Sequence, residues 1–70
     1  MKPGKYLIKN LGMKDFTGVV EVVNEAELID ECHKHLISMF VWIRWLDPDE
    51  TKGIVMAGFR RVGEVEYIGT

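Results

Sequence analysis

The side chains best suited to chemistry are Cys32, His33 and His35, the only thiol and the only imidazoles in the chain. On a helix Cys32 and His35 stand at i and i+3, a spacing that lets two ligands reach one metal ion from the same side. A structural zinc site needs about four ligands. With no second cysteine and no third histidine, the rest would have to be carboxylates or the matching pair of a symmetric copy. The helical pattern also puts Cys32 in the middle of an apolar stripe, where a thiol stays neutral and shielded, which argues against a Cys/His nucleophile. Cys32 is therefore expected to be a core residue, and the protein is expected to hold no metal and no other cofactor.

Two carboxylate pairs have the spacing for acid–base work, Asp47 with Asp49 and Glu64 with Glu66. At i and i+2 each pair would share one side of a strand. The first falls in a run of turn formers from Asp47 to Gly53, and the second stands beside cations. A shifted pKa also needs a shielded pocket, which 70 residues have little volume to enclose. The seven glycines form neither a G-x-G-x-x-G nor a Walker pattern. Gly18 and Gly58 fall within expected strands, where bulges or close packing account for glycine. The protein is expected not to be an enzyme.

The remaining set serves recognition. Phe40, Trp42, Arg44, Phe59 and Arg61 combine aromatic surface with guanidinium groups. Such residues concentrate binding energy at protein interfaces, and they also stack bases and hold phosphates in single-strand binders. Whether they act together depends on the elements that carry them.

Those elements follow from local pattern. Tyr6-Leu7-Ile8 and Phe16 to Val23 are β-prone runs flanking Asn10 to Asp15, whose Asn, Gly and Asp suit a turn, so a hairpin is expected. Asn24 then offers a capping oxygen, Glu25 and Glu27 suit the positive end of a helix, and residues 25 to 37 read as that helix. Its periodicity gathers Leu28, Ile29, Cys32 and Leu36 on one face and Glu27, Asp30, Glu31 and Lys34 on the other. Met39 to Leu46 is too short and too β-branched for a second helix and reads as a strand. Turn formers separate it from a strand at Ile54 to Phe59, Arg60 to Gly63 reads as a further turn, and Glu64 to Ile68 as the final strand. The order β-β-α-β-β-β predicts an α+β fold, with one helix packed on one face of an antiparallel sheet, in a single domain over residues 1–70. By element order alone this resembles the β-grasp architecture, a likeness that implies nothing about function.

If Leu46 and Gly53 close the second hairpin, Trp45 faces Ile54, Ile43 faces Met56 and Val41 faces Gly58. That side, with Val65 and Tyr67, is nearly all apolar and should meet the helix. The other side then holds Phe40, Trp42 and Arg44 beside Val55, Ala57 and Phe59, together with Arg61, Glu64 and Glu66. It should stay open, because a helix about 20 Å long and about 10 Å across cannot cover five strands spanning roughly 24 Å. An exposed aromatic face points to an interface. Two arginines against two glutamates leave it neutral, which weakens phosphate binding and favours a protein partner.

Leu, Ile, Val and Phe make up 22 of 70 residues, enough for a folded core, and the net charge of −2 supplies no bulk positive field for nucleic acid or an anionic membrane. A lone cysteine permits no internal disulfide and favours a reducing cytoplasm. The N-terminal segment has no apolar run of the roughly 7 to 15 residues of a signal peptide, and no stretch approaches the roughly 18 that cross a bilayer. Charge is uneven, with net +3 over residues 1–20 and net −4 over residues 21–35, which can steer a partner or orient two copies. The sequence thus predicts a cytoplasmic, non-catalytic protein-interaction module, an inhibitor, adaptor or subunit. It is expected to form a homodimer through the aromatic face or an edge strand and to bind no membrane. A single-stranded nucleic-acid binder using the same face is the alternative.

Overall fold

The computed structural model, which describes residues 1–37 and 40–69, contains β1 (Gly4–Leu11), β2 (Phe16–Val22), α1 (Glu25–His33), β3 (Val41–Trp45), β4 (Lys52–Ala57) and β5 (Arg60–Gly69). Ser38, Met39 and Thr70 lie outside the described residues, and with them the expected start of the third strand at Met39. The strands form one antiparallel sheet in the order β2-β1-β5-β4-β3. The β1–β2 hairpin and the β3–β4–β5 meander therefore join where β1 pairs with β5, and α1 carries the chain from one edge strand to the other. The α+β class, the single helix and the five-stranded antiparallel sheet agree with the sequence reading.

Local chemistry accounts for the boundaries. The β1–β2 turn uses left-handed backbone at Asn10, Gly12 and Asp15 (φ 53°, 75° and 51°), residue types that tolerate it. At the start of α1, Asn24 Oδ1 accepts the Glu27 amide at 2.9 Å and Glu27 Oε1 accepts the Val23 amide at 3.0 Å, so cap and first turn hold each other. The helix ends at His33, short of the expected Ile37. The amides of His35 and Leu36 bond the carbonyls of Cys32 and His33, three residues back, which tightens and closes the last turn. This turn seats the His35 carbonyl against Gly12, where a Cβ would lie 2.7 Å from the oxygen, and it leaves Ile37 96% exposed.

The stripe on α1 meets the sheet as its periodicity requires. Leu28 and Cys32 are fully buried in a core with Tyr6, Ile8, Leu11, Val22, Ile43, Val55 and Val65, and Ile29 and Leu36 pack around it. Tyr6 meets Trp45 and Tyr67 edge-on, with ring centroids 6.1 and 5.2 Å away. Its hydroxyl donates to the Glu50 carbonyl at 3.1 Å.

Strand β4 lies the other way up from the sequence expectation. Trp45 pairs with Gly53, Ile43 with Val55 and Val41 with Ala57, one residue away from the register that a Leu46–Gly53 closure implies. Asp47 is the cause. Its carboxylate accepts the amides of Thr51 (2.9 Å) and Lys52 (3.1 Å) and the Thr51 hydroxyl. The loop therefore closes at Leu46, whose amide donates to the Lys52 carbonyl at 2.8 Å. Because side chains alternate, a shift of one turns the whole strand over. Val55 and Ala57 face the helix, and Ile54 and Met56 face away. Gly53 now lies beneath Trp45, where a Cβ would meet the indole at 2.9 Å.

The last turn also moves. It consists of Gly58 and Phe59, not Arg60 to Gly63, and Gly58 at φ 63° supplies the positive dihedral that a two-residue hairpin needs. Val62 is then the extra residue of a bulge between the Val55–Gly63 and Met56–Arg61 pairs. Beyond it Val65 faces the helix and Glu64 and Glu66 face away, as the alternation predicts.

Replacing Leu28 with Ala should cost about 2 to 5 kcal/mol in urea unfolding, the range for emptying a core site, whereas Ile37→Ala should change stability by less than about 0.5 kcal/mol. The Asp47 carboxyl is held below its ordinary value of 3.8, first by the Thr51 hydroxyl and then by the Lys52 and Thr51 amides, against an opposing desolvation. A folded-state pKa below the unfolded one stabilises the fold above the ordinary value, and the contribution fades as pH falls through the depressed one. The stability gap between the natural protein and Asp47→Ala should therefore be full well above the ordinary carboxyl value and narrow as the pH is lowered below it.

Candidate functional site

The aromatic candidates gather around one backbone unit. The Gly58 amide donates to the Phe40 carbonyl at 2.9 Å, and the Trp42 indole N–H donates to the Gly58 carbonyl at 2.8 Å. Trp42 is thereby held half-buried on the side of the sheet that α1 does not cover, with its one polar atom satisfied. Phe40 precedes β3 and is 67% exposed, and Phe59 stands on the turn beside Gly58 with its side chain fully exposed. The sequence placed Phe59 in a strand beside Val55 and Ala57. It instead projects from the hairpin tip, while Val55 and Ala57 belong to the opposite face.

Ile54 and Met56 take the vacated places. Trp42 lies opposite Met56 and Met56 opposite Arg61, and the next row runs Arg44, Ile54, Glu64, Lys9. A third row runs Lys52, Glu66, Leu7, Val19. Phe40, Trp42, Ile54 and Met56 thus form an apolar patch at the β3–β4 side of the open face, with Arg44 and Arg61 on its border and Phe59 on the adjoining turn. Ile54 and Met56 escaped the sequence reading through the register alone. The Asp47-x-x-x-Thr51 spacing was the available signal, since an aspartate four residues before a threonine can cap a loop and pull Lys52 into the closing pair.

The charge of this face also differs from the neutral sequence count. Arg61 is paired with Glu64 at 3.2 Å and Lys9 with Glu66 at 3.3 Å. The alternation further brings Lys5, Lys52 and Glu21 to the same side, so five cations stand with three carboxylates. Arg44 is exposed and has no ion pair among the described residues.

The residues with reactive chemistry are committed elsewhere. Cys32 is fully buried, and desolvation, with a smaller effect from the charge of Glu31, pushes its thiol up to about 12. His35 stacks its ring on Phe16, with centroids 3.7 Å apart. Among the described residues no three His, Cys, Asp or Glu side chains gather where they could hold a metal ion. A concavity of about 890 Å³, open to solvent, lies at the end of the sheet, with Leu11, Phe16 and Leu36 among its walls and Arg60 beside them. No helix among the described residues is long and apolar enough to cross a membrane. Comparison with known protein families, with curated proteins and with solved structures finds no match.

A thiol reagent at about pH 8 should leave native Cys32 unmodified over a time that labels the urea-unfolded chain completely, because the folded site supplies neither thiolate nor access. Labelling of the native protein at the rate of a free thiol would contradict that burial.

Proposed function

We propose that the protein is a small, non-catalytic protein-interaction module, an inhibitor, adaptor or subunit, that works in the cytoplasm and associates first with a second copy of itself. The observation that carries this reading is the patch of Phe40, Trp42, Ile54 and Met56 on the sheet side opposite the helix, with Phe59 on the adjoining turn, next to the outer edge of strand β3. An apolar centre with an indole at its heart and arginines at its border has the anatomy of a protein interface, where aromatic anchors carry most of the energy and rim charges select the partner. The likeness of the element order to β-grasp domains adds no function to this reading.

A second reading, single-stranded nucleic acid, is favoured by the excess of cations over carboxylates on the same face, which suits a phosphate backbone running past stacked bases. The chain as a whole is net −2, which disfavours it. The two readings separate cleanly in solution. Sedimentation equilibrium at micromolar concentration should give twice the chain mass, and Trp42→Ala should weaken the association by about 2 kcal/mol or more, with little dependence on salt. An oligonucleotide titration at low salt should show no binding. Micromolar binding that collapses with added salt and is lost in Trp42→Ala would overturn the protein-interface reading in favour of nucleic acid.

A further inference from the structure

The edge of β3 has a hydrogen-bond phase that can be read from both ends of its ladder with β4. Leu46 N–H bonds the Lys52 carbonyl at one end, and Gly58 N–H bonds the Phe40 carbonyl at the other. Both pairs belong to the same register. Bonded and non-bonded pairs alternate in an antiparallel ladder, so Trp42 and Arg44 bond inward to β4. The N–H and C=O groups of Val41, Ile43 and Trp45 therefore project from the edge of the sheet. Exposed edges are ordinarily blunted by proline, charged side chains or a bulge. The stretch Val-Trp-Ile-Arg-Trp has no proline or glycine and a single charge, Arg44, and its ladder with β4 has no register shift. The opposite edge, β2, contains Gly18 and pairs with β1 through a register shift, two devices that discourage flat pairing.

We infer that two copies of this chain join β3 to β3, antiparallel, about a two-fold axis through Ile43. This rests on the self-association proposed above and specifies its site. Outward groups must meet outward groups, so Val41, Ile43 and Trp45 pair only among themselves. The axis then passes through Trp42, Ile43 or Arg44 if most of the strand is to be used. At Arg44 it would set two guanidinium groups face to face, and at Trp42 it would leave Trp45 unpaired. At Ile43 every projecting group finds a partner: Val41 with Trp45 of the second copy, Ile43 with its own counterpart, and Trp45 with Val41 of the second copy. The intervening non-bonded pairs then set Arg44 of each copy opposite Trp42 of the other. Arg44, which has no ion pair among the described residues, thus comes to lie beside an indole, twice over, in a cation–π contact. The result is a continuous ten-stranded sheet with both helices on one side and the two aromatic patches adjoining on the other.

Disulfide trapping tests the register. Non-bonded antiparallel pairs stand about 4.5 Å apart at Cα, within the reach of a disulfide. Trp42→Cys and Arg44→Cys chains carrying different tags should form a covalent heterodimer under mild oxidation when mixed, while neither should cross-link alone. Cross-linking of Arg44→Cys alone or of Trp42→Cys alone would move the axis and overturn the inference. A second variant guards against misfolding at these positions: Val41→Pro removes an outward N–H and no bond of the β3–β4 ladder, and Val41→Ala controls for the side chain lost from the margin of the core, so Val41→Pro should keep the far-ultraviolet spectrum of the natural protein and raise the dimer dissociation constant roughly tenfold or more relative to Val41→Ala. A natural protein that sediments as a dimer but is indifferent to Val41→Pro and yields no cross-link would overturn this interface and leave self-association standing. A natural protein that sediments as a monomer throughout would overturn both.

Discussion

The Asp47 carboxylate takes two amides and a hydroxyl from the loop it begins, and through them it sets the parity of the β3–β4 ladder. Everything outward of that loop depends on the choice. With Leu46 opposite Lys52, Val55 enters the core and Gly53 makes room for Trp45. One residue later, Ile54 and Met56 would point at the helix and Val55 at solvent. The loop is itself tied down, since Tyr67 N–H donates to the Thr51 carbonyl and the Tyr6 hydroxyl to the Glu50 carbonyl. The parity is therefore held from the centre of the sheet as well as from its own cap.

The fold spends its one helix on one side. At nine residues α1 is about 14 Å long, against the roughly 24 Å width of a five-stranded sheet. The inner face is completed by the rings of Tyr6, Trp45 and Tyr67, with the Trp45 indole N–H donating to Glu25 Oε1 at the start of α1 at 2.8 Å. Among the described residues no comparable layer lies on the outer face, where the largest apolar side chains cluster around Gly58 and border the strand that ends the sheet. The acidic stretch of α1 lies on the far side from the lysines and arginines of this outer face. The charge segregation visible along the chain thus becomes a difference between the two sides of the molecule.

Much of this architecture was legible in the residues. The Asn24 cap, the Leu28–Cys32 stripe, the two-residue alternation of β3 and the inward Val65 all follow from spacing, because each rests on local chemistry within a few positions. What was not legible depends on bonds that compete at a loop. A run of seven turn-forming or charged residues from Asp47 to Gly53 allows several closures, and only the side-chain bonds of Asp47 select among them. The end of α1 is similar: the pattern continues through Leu36, yet contact with the β1–β2 turn at Gly12 stops the helix at His33. For the site, Phe40, Trp42, Arg44 and Arg61 were placed on the correct side, whereas Phe59 went to the turn, and Lys5, Lys9 and Lys52 joined the face only once the strand order was known.

The central claim is that β3 turns alternate backbone groups to β4 and to a second copy. Amide hydrogen exchange, measured residue by residue across a dilution series, reads this directly. The amides of Trp42 and Arg44 should be protected at every concentration, and those of Val41, Ile43 and Trp45 should be protected in concentrated solution and exchange freely on dilution. Protection of the three edge amides that is the same at all dilutions, or the opposite alternation, would contradict the account.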